Sequence, residues 1–183
     1  MLLKRTMLME RYASRYSWVS KIYYKGYYSY VKKEIGLAKI DAKTKVLHIG
    51  GGRPYTAVII TRLTRAQVTV VEIEPEIRDM AVDYVKQLGL DDKIDVILAD
   101  GRDISVAGFD VVILSLSIKS KDAVLRNIFE TCDPGTSIIY RSARKSLETV
   151  YEDSEILKKY ASFIQQTVYH RGISLRASHL LIV

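Results

Sequence analysis

From residue 45 to residue 140 the chain alternates short runs of aliphatic and β-branched residues with helical segments, and this alternation limits the fold more than any other feature. Residues 45–49, 67–71, 94–98, 109–114 and 136–140 read as strands, and 55–65, 75–88 and 121–132 as helices. Pro75 stands at a first helical position, where its missing N–H costs nothing. Gly89 stops that helix, and Asp133-Pro134-Gly135 turns the chain before the fifth strand. Strands and helices in this order make a parallel sheet with right-handed crossovers and helices on both faces. Residues 152–160 read as one more helix, and 163–169 and 174–183 as two strands joined around His170-Arg171-Gly172. The expected architecture is therefore α/β: a seven-stranded sheet closed by a C-terminal antiparallel hairpin.

Charge is unevenly placed along the chain. Residues 1–45 hold 11 Lys and Arg against Glu10, Glu34 and Asp41, whereas the remainder holds 17 basic and 18 acidic residues. Seven of the 13 tyrosines (Tyr12, Tyr16, Tyr23, Tyr24, Tyr27, Tyr28 and Tyr30) lie in the same N-terminal stretch. This shift marks residues 1–43 as a basic, Tyr-rich helical cap, with helices expected at 6–20 and 26–37, laid on a sheet domain at 44–183. The length of 183 residues suits one domain with at most a short appendage. Cys132 is the single cysteine, so neither a disulfide framework nor a Cys-based zinc site is expected. His48, His170 and His179 lack metal-ligand spacing, and no metal is expected. No apolar run approaches the ~20 residues that span a bilayer, and the N-terminus has too short an apolar stretch for a signal peptide. A cytoplasmic location follows as the expectation.

Ligands of open α/β sheets bind outside the carboxyl ends of the strands. After the first strand comes Gly50-Gly51-Gly52-Arg53-Pro54, where backbone can approach a ligand closely and the next helix points its N-terminus at it. After the second comes Glu72, twenty-two residues beyond Gly50 and followed by Ile73, placed to accept hydrogen bonds from ribose hydroxyls. After the third comes Asp100-Gly101, where adenosyl-binding folds set an acid against the adenine amine. Ser115 follows the fourth. Taken singly, these residues have other readings too: a tight turn, a helix-capping acid, a turn signal and a local backbone partner. Together and in this order they point to an adenosyl ligand. A dinucleotide needs no acid after the third strand, and the P-loop pattern is absent. The alternation, the closing hairpin and these tips resemble the Rossmann-like class I methyltransferase fold, which implies S-adenosyl-L-methionine as donor.

Four segments resemble nicotianamine synthases more narrowly. These are the cofactor loop His48-Ile-Gly-Gly-Gly-Arg-Pro-Tyr-Thr-Ala-Val-Ile60, the fourth strand Phe109-Asp-Val-Val-Ile-Leu-Ser115, the fifth strand ending Arg141-Ser142-Ala143, and Tyr23-Tyr24-Lys25-Gly26-Tyr27 upstream. The resemblance covers roughly residues 20–183, with a shorter N-terminal helical region than that family has. It implies transfer of an aminocarboxypropyl group to an amine, with release of methylthioadenosine. It also implies a pocket lined by Tyr23, Tyr24 and Tyr27 and bordered by Arg141 and Ser142, with Arg141 available to a carboxylate. The carboxylate upstream of the tyrosine motif is Glu10. The tyrosines read equally as a helix-packing stripe, and Arg141 as a solvated strand end.

Three functions stay open at this point. The first is a transferase acting on a small amine-containing acceptor. The second is an S-adenosylmethionine-dependent methyltransferase acting on RNA through the basic arm, since Lys and Arg neutralise phosphate and tyrosines stack on bases. The third is a cofactor-binding subunit without catalysis. No membrane partner is expected, and a homodimer is compatible with the sequence.

Overall fold

A computed structural model of the chain describes residues 17–151, 153–171 and 174–183. In chain order the elements are α1 (Ser17–Leu37), β1 (Lys45–Ile49), α2 (Tyr55–Thr64), β2 (Gln67–Glu72), α3 (Pro75–Gln87), β3 (Ile94–Leu98), β4 (Val111–Leu114), α4 (Lys121–Thr131), β5 (Ser137–Ala143), α5 (Glu148–Tyr151), α6 (Asp153–Lys159), β6 (Ile164–Tyr169) and β7 (Leu175–Ile182). The strands form one sheet in the order β3-β2-β1-β4-β5-β7-β6. β1 to β5 run parallel, β7 pairs antiparallel with β5, and β6 pairs antiparallel with β7. This is the class I S-adenosylmethionine methyltransferase architecture. The chain reverses its direction of travel across the sheet between β1 and β4, so the ligand crevice of such a fold opens at their carboxyl ends.

Alternation along each strand divides the core in two. Val46, Val68, Val70, Val111, Ile113 and Ile139 face α1, α2 and α3, where Val31, Val58, Ile60, Ala81 and Val85 close the layer. Leu47, Ile49, Val71, Val112, Leu114 and Ile138 face the other way, against Leu125, Ile128, Ile156 and Tyr160 of the helical side. Apolar side chains on both faces are what a helix-covered parallel sheet requires. α2 is buried at every position from Tyr55 to Thr61, because it is wedged between the sheet and α1.

Several boundaries differ from expectation. The two N-terminal helices expected around a break at 20–26 are a single helix from Ser17 onward, and residues 6–16 lie outside the described residues. Tyr24, Tyr27, Tyr30 and Val31 recur on one face and pack on the core, which outweighs the low helix propensity of Gly26. β4 begins at Val111 rather than 109, where the Asp110 carboxylate takes the Lys45 amide at 2.7 Å. β5 continues to Ala143, because β7 pairs with it as far as Ala143 and Leu175. The helix expected at 152–160 is α6, and the short α5 before it was not expected.

Candidate functional site

Lateral hydrogen bonds tie four strand tips into one row. Ala99 N–H donates to the Glu72 carbonyl at 3.1 Å, Gly50 N–H to the Val71 carbonyl at 2.9 Å, and Ser115 N–H to the Ile49 carbonyl at 3.1 Å. The expected residues at Gly50–Gly52, Glu72, Asp100 and Ser115 therefore stand side by side on adjacent strands. The glycines fit this crowding. Gly50 has φ +74°, and a Cβ there would lie 2.7 Å from Cγ1 of Ile118; a Cβ at Gly51 would lie 2.2 Å from Cγ1 of Val70. Gly101 comes equally close to β1, since a Cβ on it would meet Cγ2 of Ile49 at 2.5 Å. The loop after β3 thus packs on the end of β1.

Glu72 is buried, and its carboxylate joins the loops after β1 and β2. Oε2 accepts from Gly52 N–H at 2.9 Å, and Oε1 accepts from Ile73 N–H at 2.9 Å and Glu74 N–H at 3.1 Å. Ile73 beside it is 54% exposed, an apolar shelf at the strand tip. Asp100 is engaged by Arg102, whose Nε donates to Oδ1 and Oδ2 at 3.0 Å each and whose backbone N–H donates to Oδ1 at 2.9 Å. The Arg102 side-chain hydrogen bonds hold the Asp100 carboxyl below the usual carboxylate range. Three properties fit an adenosyl ligand: a close-approach glycine loop, a carboxylate at its flank, and an apolar residue next to both. Gly50–Gly52, Glu72, Ile73, Asp100 and Gly101, the residues expected to hold S-adenosylmethionine, lie together at this end of the sheet.

Two buried polar clusters at the same end of the sheet were not expected. In one, Arg141 sits at the end of β5 as expected but turns inward. Its Nε and Nη2 donate to the two oxygens of Glu34 at 2.8 and 2.7 Å, and Nη2 also donates to Thr56 Oγ1 at 3.1 Å. Ser178 O–H donates to Glu34 at 2.6 Å, and His170 Nε2 lies 2.9 Å from Ser178 Oγ. Arg141 lies 5.4 Å from the Tyr30 ring, so the fifth-strand motif and the tyrosine helix meet. Burial, and next the neighbouring Tyr27, push the Tyr30 phenol up. In the second cluster, Lys121 Nζ and Tyr140 O–H donate to Asp153 Oδ1 at 2.7 and 2.6 Å, and Ala143 N–H donates to Oδ2 at 2.6 Å. Burial lowers the Lys121 pKa against the pull of Asp153.

The tyrosine motif divides. Tyr24 and Tyr27 pack on the core, with the Tyr27 ring between those of Tyr30 and Tyr55 at centroid distances of 4.9 and 5.5 Å and tilted to both, while Tyr28 faces outward. The Tyr23 side chain and Glu10 lie outside the described residues. A cavity of about 570 Å³ opens between the β4–α4 loop and α5–α6, lined among others by Ser117, Ile118, Lys121, Tyr151 and Lys159. It adjoins the glycine loop through Ile118 and is not lined by Gly50, Glu72 or Asp100. A signal for the missed residues existed. Glu34 is the lone acid of α1, and His48 is the lone polar residue among Val46, Leu47 and Ile49. Among the described residues no group of three or more His, Cys, Asp or Glu side chains is placed to hold a metal, and no helix is long and apolar enough to cross a membrane.

A mutant of MtNAS, a nicotianamine synthase, matches with TM-score 0.80 and 26% identity over 98% of this chain and 70% of that one. The mutant in complex with S-adenosylmethionine matches with TM-score 0.78 and 25% identity, covering 100% of this chain and 72% of that one. An RNA methyltransferase from Salinibacter ruber in complex with S-adenosyl-L-homocysteine shares the fold, with TM-score 0.67 and 20% identity over 85% of this chain and 90% of that one. No curated protein matches by sequence. Fold and family support an S-adenosylmethionine-dependent transferase of methyltransferase type. The family model of protein-L-isoaspartate(D-aspartate) O-methyltransferase matches residues 16–140, and the chain belongs to that family.

Proposed function

We propose that the protein transfers the aminocarboxypropyl group of S-adenosylmethionine to a small amine-containing acceptor. One observation carries this reading: the tyrosine helix and the Arg141-Ser142-Ala143 strand end, far apart in sequence, join in one buried cluster beside the glycine loop. The similarity to MtNAS along nearly the whole chain supports it. When bound, the donor supplies carbon atoms made electrophilic by a sulfonium. What the chain contributes is aim, since the carbon that reacts is decided by where the amine is held. In this reading Tyr23, Tyr24 and Tyr27 wall the acceptor side, and one of them or Glu10 takes the proton the amine must shed. Arg141 acts as a positioning residue, holding α1 over the strand tips through Glu34.

Methyl transfer is the second reading, favoured by the family match over residues 16–140. Incubation with labelled S-adenosylmethionine and a panel of amines separates the two. Methylthioadenosine is the by-product expected here, and S-adenosylhomocysteine would replace this reading by methylation. Neither product, with binding intact, would leave a cofactor-binding subunit. A salt-sensitive shift of labelled RNA would move the acceptor to RNA; against it, Tyr24, Tyr27 and Tyr30 give part of their surface to packing on the core.

A further inference from the structure

We infer that Ser115 recognises the carboxylate of the donor's methionine portion through an O–H turned away from His48, and that His48 sets the direction of that hydroxyl. The inference rests on the cofactor reading above and adds which chemical group this strand tip selects.

His48 lies on β1, 2% exposed, with Nε2 2.8 Å from Ser115 Oγ at the end of adjacent β4. Its other nitrogen, Nδ1, is buried without a hydrogen-bond partner. Nδ1 lies 3.4 Å from where a Cβ on Gly51 would be, so it faces an α C–H of that glycine. Burial, and secondly the nearby Arg141, hold the imidazole pKa well below its ordinary value, so the ring is uncharged and carries one N–H and one lone pair. A hydrogen on Nδ1 would be an unsatisfied buried donor pressed against a C–H. A lone pair there meets the weakly positive C–H favourably. The hydrogen therefore belongs on Nε2, which donates to Ser115 Oγ. The Ser115 hydrogen is left to point away from His48.

Position supplies the rest. Ser115 Cβ is 3.4 Å from where a Cβ on Gly50 would stand, so the hydroxyl borders the glycine loop. With its acceptance from His48 fixed, the hydroxyl has its one hydrogen left to donate, which suits an anionic oxygen. The residue that family resemblance assigns to a carboxylate, Arg141, is instead engaged bidentately by Glu34 and by Thr56. Ser115, at the tip of the strand next to β5, supplies a donor in its stead.

Calorimetric titration of wild type and Ser115→Ala with S-adenosylmethionine and with decarboxylated S-adenosylmethionine tests this. The substitution should weaken S-adenosylmethionine binding about tenfold or more, the value of a hydrogen bond to a charged group, and leave the decarboxylated compound unaffected. His48→Phe should act in the same direction, and His48→Gln, whose amide can donate from the Nε2 position, should restore the preference. Imidazole ¹⁵N spectra of the wild type should place the hydrogen on Nε2, a readout that needs no ligand and no variant. Equal effects of Ser115→Ala on both compounds, no effect on either, or a hydrogen on Nδ1 would each overturn the inference alone. A wild type that binds neither compound would overturn the cofactor reading, and this inference with it.

Discussion

Glu34→Ala is the most informative single perturbation, because it strips the counter-charge from a guanidinium that is 3% exposed. The wild-type carboxylate is itself fully buried and accepts three hydrogen bonds, two from Arg141 and one from Ser178. Breaking a buried pair by removing one partner costs about 3–5 kcal/mol, since the remaining charge stays desolvated and unpaired. At about 2–4 °C per kcal/mol for a chain of this size, the melting temperature should fall by about 6–20 °C. Glu34→Gln keeps the shape but turns an amide N–H toward guanidinium donors, so it should fall between wild type and Glu34→Ala. The double variant Glu34→Leu with Arg141→Met removes both charges, and much of the loss should return. Urea unfolding of wild type, Glu34→Leu, Arg141→Met and the double variant, analysed as a double-mutant cycle, measures the coupling. The cluster also fastens α1 to the sheet, so limited proteolysis should cut within α1 in Glu34→Ala before it cuts elsewhere. A cost under about 1 kcal/mol, the range of exposed ion pairs, would refute the buried-clamp reasoning.

Glu72→Ala removes the acceptor shared by the Gly52, Ile73 and Glu74 amides along with the proposed ribose contact, and should weaken S-adenosylmethionine binding by about 1.5–3 kcal/mol in calorimetry. Unchanged affinity would remove the ribose assignment. Gly51→Ala should destabilise by about 1–3 kcal/mol, because its methyl would press on Val70 at the back of the loop. Gly26→Ala, where nothing lies within 4 Å, should instead stabilise α1 by up to about 1 kcal/mol; urea midpoints compare the two. Burial lowers the pKa of His179 to about 4, and lowers those of His48 and His170. The unfolded chain takes up these protons below about pH 6.5 while the folded chain resists until lower pH, so stability should fall as pH drops from about 6.5 toward 4. Melting temperatures that stay flat through that window would show that these rings are not held neutral by the fold.

Strand runs, crossovers and the hairpin were legible because each is a local pattern: apolar runs of the right length, separated by caps and turns, admit few other topologies. The order of chemistry-bearing tips was legible for the same reason, since a parallel sheet puts the residue after every strand at one end. Boundaries that depend on a partner were not. The extension of β5 to Ala143 is decided by pairing with β7, and the continuity of α1 through Gly26 by the core beneath it. The direction of Arg141 was also hidden, because Glu34 lies 107 residues away and no local pattern joins them.

The sequence alone thus determined the architecture and the row of Gly50–Gly52, Glu72, Asp100 and Ser115 along one edge. Only the tertiary structure decided which groups at that end are engaged by partners far along the chain: Arg141 by Glu34, Ser115 by His48. The physical reason is that a side chain's position follows from strand and helix periodicity, which is local. Its hydrogen-bonding state follows from whichever distant group burial forces against it.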